Sequence, residues 1–310
     1  MSTTSTRTIR QAPTRQPHVV PASSSDTLAA KPTRRSLIIL VAAGVLFAGG
    51  LLAIGSDHRA AAPREGVGLS GSFPVTFLRR TLRVASFNIH AGRNAAGEFD
   101  LARTAQTLEG FDVVGLNEVR GYPEWYRADH AEQLGRLLDM SWCFAPSERR
   151  YWYDHWGNGL LSKLPVGEWQ SVPLANTRGK GYRNYTVAAV EFAGSTTTVV
   201  VTHIDNKNDH EHQLRVVREV FLQQPAPAIL MGDLNGAADD PLVRSIADHP
   251  EVTDALSVAL GTDWEPSVDW IFVRGLEVRD AGVRDLGASD HKCVWAELAL
   301  PSRRTAAAQK

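Results

Sequence analysis

Cysteine is scarce in this sequence: Cys143 and Cys293 are the only two among 310 residues. Two cysteines exclude a disulfide framework and a cysteine-rich zinc site, although a single bridge between them stays open. We interpret both as small buried hydrophobic groups. No repeat of 20–50 residues is evident, which excludes a solenoid.

A broad excess of positive charge is also missing. The net charge is −1, but six of the 33 basic residues and one of the 34 acidic residues lie within residues 1–56. This leaves a net charge of −6 on residues 57–310. A protein that grips nucleic acid by charge alone carries a basic footprint on its globular part. The sequence therefore argues against that mode of binding.

The longest apolar stretch is residues 37–54, which has no charge and no strongly polar side chain. As a helix it would span roughly 27 Å, close to the apolar thickness of a bilayer. Lys31, Arg34 and Arg35 precede it, which predicts a cytoplasmic N-terminus and an external globular part. We expect a retained transmembrane helix over 36–56 after a disordered basic tail over 1–35. Two alternatives stay open: a buried core helix, or a cleaved signal of twin-arginine type.

Residues 57–80 are predicted to be a linker, residues 81–301 a single globular domain, and residues 302–310 a disordered tail. Helices are expected over 99–108, 123–138 and 209–224. Strands are expected over 82–89, 112–119, 159–166, 185–192, 196–204, 228–234, 267–273 and 292–300, with a hairpin across Gly194. The fold class is α/β (α+β): two mostly antiparallel sheets packed face to face with helices outside.

Polar side chains that could act together stand at the ends of five predicted strands. They are Asn88, Glu118, His203, Asp233, Asn235, Asp290 and His291. A buried charge is costly unless it is paired or bound to metal, so these positions predict one shared site. The oxygen-rich set contains no thiolate, which favours Mg²⁺ or Mn²⁺ over zinc.

The series from Asn88 to His291 resembles, in order and residue type, the endonuclease/exonuclease/phosphatase superfamily with its deoxyribonuclease-I-like fold. The resemblance covers residues 81–300 and implies a four-layer α/β sandwich that hydrolyses phosphoesters with a divalent metal. It implies that Glu118 is the main metal ligand, with Asn88 and Asp290 beside it. Asp233 would orient or deprotonate the attacking water, and Asn235 would hold phosphate and water.

The same resemblance implies roles for two histidines and their neighbours. His291 would contact the scissile phosphate, and His203 would be the second histidine of the centre. Asp269 would orient the catalytic histidine, unless it pairs with a nearby arginine. Asn158 matches a variable polar position and is assigned to substrate binding. Ser267 departs from the family, which often has a basic residue there.

The aromatic residues of segment 122–156 leave the substrate open. They are Tyr122, Trp125, Tyr126, Trp142, Tyr151, Trp152, Tyr153 and Trp156. Core packing would explain them, but so would a wall that stacks bases, surrounds a choline-like cation or lies at a lipid interface.

The function expected is a membrane-anchored, monomeric phosphodiesterase or nuclease that faces outward and acts on nucleic acid or a lipid head group. The alternatives are a phospholipid or sphingomyelin-type phosphodiesterase and a small-molecule phosphatase. A non-catalytic binding protein on the same fold is more remote, because it would be expected to lack at least one catalytic position.

Overall fold

The computed structural model describes residues 33–55, 58–71, 80–177, 181–261 and 267–301. The chain divides into two compact units, residues 1–49 and 50–310. The predicted tail over 302–310, and the predicted tail over 1–35 up to residue 32, lie outside the described residues.

The apolar stretch forms helix α1, Arg34–Gly55. At its start the Thr33 hydroxyl accepts a hydrogen bond from the backbone N–H of Ser36, as an N-terminal cap does. Among the described residues it is the one helix long and apolar enough to cross a membrane. Its side chains over 34–53 are exposed, which argues against a buried core helix. The helix is therefore a membrane anchor or a signal sequence, and its retention stays a prediction.

The first of two seven-stranded sheets carries many of the predicted site residues at one end. In spatial order it contains β1 (Arg59–Ala60), β5 (Ser141–Arg150), β6 (Tyr153–Ser162), β4 (Val113–Arg120), β3 (Thr81–Asn88), β14 (Cys293–Ala299) and β13 (Glu277–Arg284). Only β3 and β4 pair in parallel in this sheet; its other neighbours are antiparallel.

The second sheet has the same mixed pattern. In spatial order it contains β11 (Thr253–Asp254), β12 (Asp269–Arg274), β10 (Ala228–Asp233), β9 (Ser195–His203), β8 (Asn184–Phe192), β7 (Val166–Pro173) and β2 (Arg64–Val67). Here β9 and β10 are the parallel pair. The prediction of two mostly antiparallel sheets is confirmed.

Three apolar layers hold the sandwich together. The inner faces of the two sheets meet in a core that includes Val84 and Val113 from one sheet and Val201 and Met231 from the other. The outer faces are covered by helices, which are α2 (Leu101–Leu108) and α3 (His130–Leu138) on the first sheet and α4 (His210–Gln223) and α5 (Pro241–Ala247) on the second. Strands that are buried on both faces need continuous apolar runs. β10 (Ala228–Asp233) is an example, with no charged residue before its terminal aspartate. A four-layer α/β sandwich results.

The predicted linker over 57–80 is partly wrong, because it supplies two strands. β1 pairs with β5 in one sheet, and β2 pairs with β7 in the other. Both are short edge strands whose residues are mostly exposed. Edge strands of this kind are held by backbone hydrogen bonds, so they lack the apolar alternation that predicts a strand.

The predicted helix over 123–138 begins only at His130, where the Asp129 carboxylate caps it by accepting from the Glu132 N–H. The predicted strand over 159–166 is the end of the longer β6. Several elements were not predicted, because polar residues or short length obscure their hydrophobic periodicity. They are strands β5, β7 and β13, helix α5 and helix α6 (Ala255–Leu260). The hairpin across Gly194 is confirmed, with Ala193 and Gly194 both at positive φ, as a tight hairpin turn requires.

Both cysteines are buried and free. Burial raises the pKa of the Cys143 thiol to about 12, so it is protonated at neutral pH. The interpretation of Cys143 and Cys293 as small buried hydrophobic groups is confirmed.

Glu148 links the start of the globular unit to the first sheet. Its two carboxylate oxygens lie 2.6 Å from His58 Nε2 and 2.7 Å from His155 Nδ1. Burial alone would raise the pKa of this carboxyl, but the hydrogen bonds to His155 and His58 outweigh it and lower the pKa. A lowered pKa stabilises the fold above the ordinary glutamate range, and this contribution is lost as the pH falls through the folded-state pKa.

We expect Glu148→Gln to lower the free energy of unfolding by about 1–3 kcal/mol near neutral pH, since a charge-assisted buried link is lost. The difference from the wild type should shrink as urea unfolding is repeated below pH 4.5, the ordinary pKa of the group. Glu211→Gln is the matched control, because its pair with Arg215 is exposed and should contribute little. Equal effects of the two substitutions would contradict this role.

Candidate active site

The carboxyl ends of both parallel strand pairs lie at the same edge of the sandwich. In the first sheet Asn88 is in register with Asn117, so Glu118 follows directly. In the second sheet Asp233 is flanked in register by His203 and by Asp269. The two strands of a parallel pair end at the same edge of the sheet, so residues that are distant in sequence become neighbours there.

Contacts across the two sheets bring four of the predicted residues together. The Asn88 amide donates to Asp233 Oδ2 over 3.0 Å. His203 Nε2 lies 3.4 Å and His291 Nε2 3.8 Å from that same oxygen. Asn88 and Asp233 are each 1% exposed, so this carboxylate is enclosed by an amide and two imidazoles.

His291 is held by Asp269. Its Nδ1 donates to Asp269 Oδ2 over 2.7 Å. The alternative that Asp269 pairs with an arginine is wrong, because Arg274 binds Glu251 and Arg279 binds Glu277. The other Asp269 oxygen, Oδ1, is buried and has no hydrogen-bond partner among the described residues. The backbone N–H of Asp269 donates to Ser267 Oγ over 2.9 Å, so Ser267 fixes the turn into β12.

Burial and neighbouring charge shift the pKa values of these groups in opposite directions. Burial and the nearby Asp269 raise the pKa of Asp233 to about 7. Burial would lower the pKa of His291, but the hydrogen bond to Asp269 and three carboxylate charges outweigh it and raise the pKa to about 9. Burial, with the positive charges of Arg183 and His291, holds the pKa of His203 well below its usual value. At neutral pH His291 is thus cationic and His203 neutral.

Glu118 sits at a break in strand pairing. The register between β4 and β6 shifts between Leu116 and Val119, and Glu118 has φ of +58°. A positive φ is costly for a non-glycine residue and recurs at functional sites. The Glu118 side chain is half-buried and has no hydrogen-bond or ionic partner among the described residues.

Asp290 is the most exposed of the predicted ligands. Its Oδ1 lies 3.4 Å from His90 Nδ1 and accepts from Ser289 Oγ over 3.1 Å. Ser289 Oγ also contacts the carbonyl of Asn88 over 2.7 Å, which ties the Asp290 loop to the end of β3. Sequence reasoning missed His90 and Ser289, although each is one or two residues from a predicted ligand.

Asn235 and Asn158 occupy different surroundings. Asn235 donates from its amide to the carbonyl of Ile204 and from its backbone to Asp233 Oδ1, so it closes the turn after β10. Asn158 is buried, and its amide bonds go to Asn117 and Asn184. Substrate binding by Asn158 stays a prediction; its described bonds connect the two sheets.

Asn117 is the central residue that sequence reasoning missed. Its Oδ1 accepts from the backbone N–H of Asp233, and its amide donates to Thr202 O and to Asn158 Oδ1. It thereby fixes the end of β10 against the end of β4. The signal was present, because Asn117 is an amide within an apolar strand directly before Glu118.

The described residues contain one group of three acidic or imidazole ligands that could hold a metal ion. Asp233, Asp269 and His291 each offer an atom within 4.8 Å of the others. Within this group His291 Nδ1 and Asp269 Oδ2 are already engaged with each other over 2.7 Å. Glu118 and Asp290 lie outside this group.

A family model described as the Endonuclease/Exonuclease/phosphatase family matches residues 85–291, two thirds of the chain. The chain belongs to this family. Its members are metal-dependent phosphoester hydrolases, typically with Mg²⁺. The match spans the strands from β3 to the His291 loop and so contains every predicted site residue.

Solved structures give the same fold. An endonuclease/exonuclease/phosphatase from Beutenbergia cavernae is 25% identical with a TM-score of 0.58, and 72% of each chain is covered. A family protein from Bacteroides vulgatus is 19% identical with a TM-score of 0.58, covering 72% of this chain and 100% of its own. The human Nocturnin catalytic domain, with a bound sulfate anion, is 17% identical with a TM-score of 0.54, covering 78% and 99%. No curated protein matches the sequence.

We expect Asn117→Ala to lower the free energy of unfolding by about 2–4 kcal/mol, because it leaves buried partners in both sheets without a hydrogen bond. Urea unfolding measures this, with the exposed Asn206→Ala as the control. A loss no larger than that of the control would show that Asn117 does not join the sheets.

Proposed function

We propose that this chain is a membrane-anchored phosphodiesterase that hydrolyses its substrate by attack of water, aided by Mg²⁺ or Mn²⁺. The observation that carries the proposal is the convergence of Asn88, His203, Asp233 and the His291–Asp269 pair at one edge of the two sheets. Every residue to which the family resemblance assigns a catalytic or metal-binding role is present in this chain, which disfavours a non-catalytic binding protein.

The oxygen donors fit a hard divalent cation. Glu118 carries a half-buried carboxylate without a partner among the described residues, at a position that the backbone holds at a positive φ. Glu118 would be the main ligand, with Asn88 and Asp290 beside it. The ion would supply charge stabilisation to the phosphoryl and leaving oxygens. We favour this set over Asp233, Asp269 and His291, because His291 already donates through Nδ1 to Asp269 and would have to lose a proton to bind a metal.

The remaining residues would handle water and phosphate. Asp233 is fixed by Asn88 and by the backbone of Asn235, so its carboxylate can orient a water and take its proton. His291, held by Asp269, would donate to an oxygen of the scissile phosphate. Neutral His203, whose Nε2 lies 3.4 Å from Asp233 Oδ2, would place a second donor beside this carboxylate.

The domain extends further than the sequence predicts. Because β1 and β2 belong to the sheets, we propose a catalytic domain over 58–301 that acts as a monomer, with α1 retained as the anchor and the domain outside the cell. The substrate would be a nucleic acid or a lipid head group; the apolar helix favours the second, since it would hold the domain close to phospholipid.

Glu118→Gln should weaken binding of Mn²⁺ by at least tenfold in calorimetric titration of the full chain, because one charged ligand is lost. Activity on bis-nitrophenyl phosphate should fall by orders of magnitude and should vanish in EDTA. Glu124→Gln, an exposed residue of the adjacent loop, is the control. Unchanged Mn²⁺ affinity in Glu118→Gln would overturn the proposed ligand set.

Asp269→Asn should lower kcat on the same substrate by roughly 10²–10⁴-fold with little change in Mn²⁺ affinity, since it removes the acceptor that orients His291. The exposed Asp239→Asn should leave kcat unchanged. Loss of Mn²⁺ binding in Asp269→Asn would instead place the metal at the Asp233–Asp269–His291 group.

A panel of single- and double-stranded DNA, RNA, sphingomyelin and phosphoinositides would then identify the substrate.

A further inference from the structure

The hairpin between β5 and β6 turns on two large aromatic residues. Arg150 and Tyr153 are the last paired residues, and Tyr151 and Trp152 form the turn between them. Their φ angles are +54° and +68°. Tight hairpin turns of this kind favour Asn and Gly, and a bulky residue at positive φ is a conformational outlier. The turn therefore holds two large aromatic residues in a strained backbone conformation.

These two rings are exposed to solvent. Tyr151 is 45% and Trp152 is 52% exposed, although each could bury a large apolar area. Strained backbone that presents apolar side chains outward is typical of a surface that binds something.

The surroundings of the turn are cationic. Arg59 is paired in register with Arg149, and the Arg150 guanidinium lies 4.7 Å from the centre of the Tyr151 ring. Arg150 has no carboxylate partner among the residues that the structure describes, and its Nε is buried without a hydrogen bond. The neighbouring acids are engaged: Asp154 contacts Arg149, and Glu148 contacts two histidines. We call Tyr151, Trp152, Arg59, Arg149 and Arg150 the aromatic tip.

Chain length limits how far the aromatic tip can be from the apolar helix. α1 ends at Gly55, and Arg59 is already paired beside Arg149. Four residues reach at most about 14 Å when fully extended. By chain length alone, a membrane that α1 crosses would thus be within reach of the strand that Arg59 forms.

We infer that the aromatic tip contacts the surface of a bilayer that contains anionic phospholipid. Tyr151 and Trp152 would lie at the level of the head groups, where tyrosine and tryptophan are enriched, and Arg150 would face lipid phosphates. The inference does not need the hydrolytic reaction, but it does need α1 to be retained.

A single-stranded nucleic acid fits the aromatic tip less well. Such chains bind along a groove in which successive bases stack on rings and the backbone follows a line of positive charge. Here both rings stand at the end of one hairpin, beyond the last paired residues. A bilayer surface requires no groove, so it is the better occupant.

Contact at the aromatic tip would also bring the active site towards lipid. Trp156, four residues after Trp152 on β6, is in register with Arg120, which follows Glu118 by two residues on β4. At the rise of a β-strand, four residues correspond to roughly 13 Å. The active-site edge and the tip are thus at the same end of the first sheet.

The intrinsic fluorescence of the full chain tests this inference, because all eight tryptophans lie outside α1. The protein would be reconstituted into vesicles of phosphatidylcholine and phosphatidylglycerol whose acyl chains are brominated near the head group. We expect quenching in the wild type that is largely lost in Trp152→Phe. Trp125→Phe is the matched control, because Trp125 is 86% exposed on another loop and should not account for the quenching.

Arg150→Gln should reduce the quenching, and vesicles of phosphatidylcholine alone should give less of it than the mixture. All three variants should retain the wild-type rate on soluble bis-nitrophenyl phosphate, which shows that they fold. No quenching in the wild type, or quenching that Trp125→Phe removes instead, would overturn the inference. Equal quenching without phosphatidylglycerol, or quenching by a single-stranded oligonucleotide in detergent, would do so too.

Discussion

A buried carboxylate between two sheets is the constraint on which this structure depends. Asp233 ends a strand that is otherwise apolar, and it cannot reach solvent. Asn88, the backbone of Asn235 and cationic His291 offset part of the cost of burying its charge, although burial still raises its pKa to about 7. These groups come from both sheets, so they stabilise the Asp233 carboxylate only when the two sheets are packed together. Stability and site geometry are therefore linked.

Asparagine side chains of the first sheet reach the second sheet at the edge where Asp233 lies. Asn88 bonds to Asp233, Asn117 to Asp233 and Thr202, and Asn158 to Asn184. Over most of the remaining interface the two inner faces meet through apolar side chains such as Val84 and Met231. This polar boundary gives the edge of the candidate active site directional contacts, which a purely apolar core lacks, and so holds the proposed catalytic groups in position.

The parts of the fold that follow from side-chain pattern were predictable. β3, β4, β9 and β10 are apolar runs ending in polar residues, and residues at the ends of β3, β9 and β10 are in contact. β1 and β2 were not predictable, because edge strands are held by backbone pairing. β5 was not predictable either, because its pattern of apolar and polar residues is mixed. Asn117 was missed because its importance lies in contacts with residues more than 80 positions away. The pairing of Asp269 with His291 instead of an arginine likewise depends on tertiary structure.

The central claim is that Asn88, Glu118 and Asp290 hold a divalent ion beside the Asp233–His291 cluster. Anomalous diffraction from crystals of the protein grown with Mn²⁺ tests it most directly. We expect one strong peak within bonding distance of a Glu118 carboxylate oxygen, with the hydrogen bond between His291 and Asp269 intact. A peak coordinated by His291 and Asp269 with Glu118 unliganded would contradict the claim.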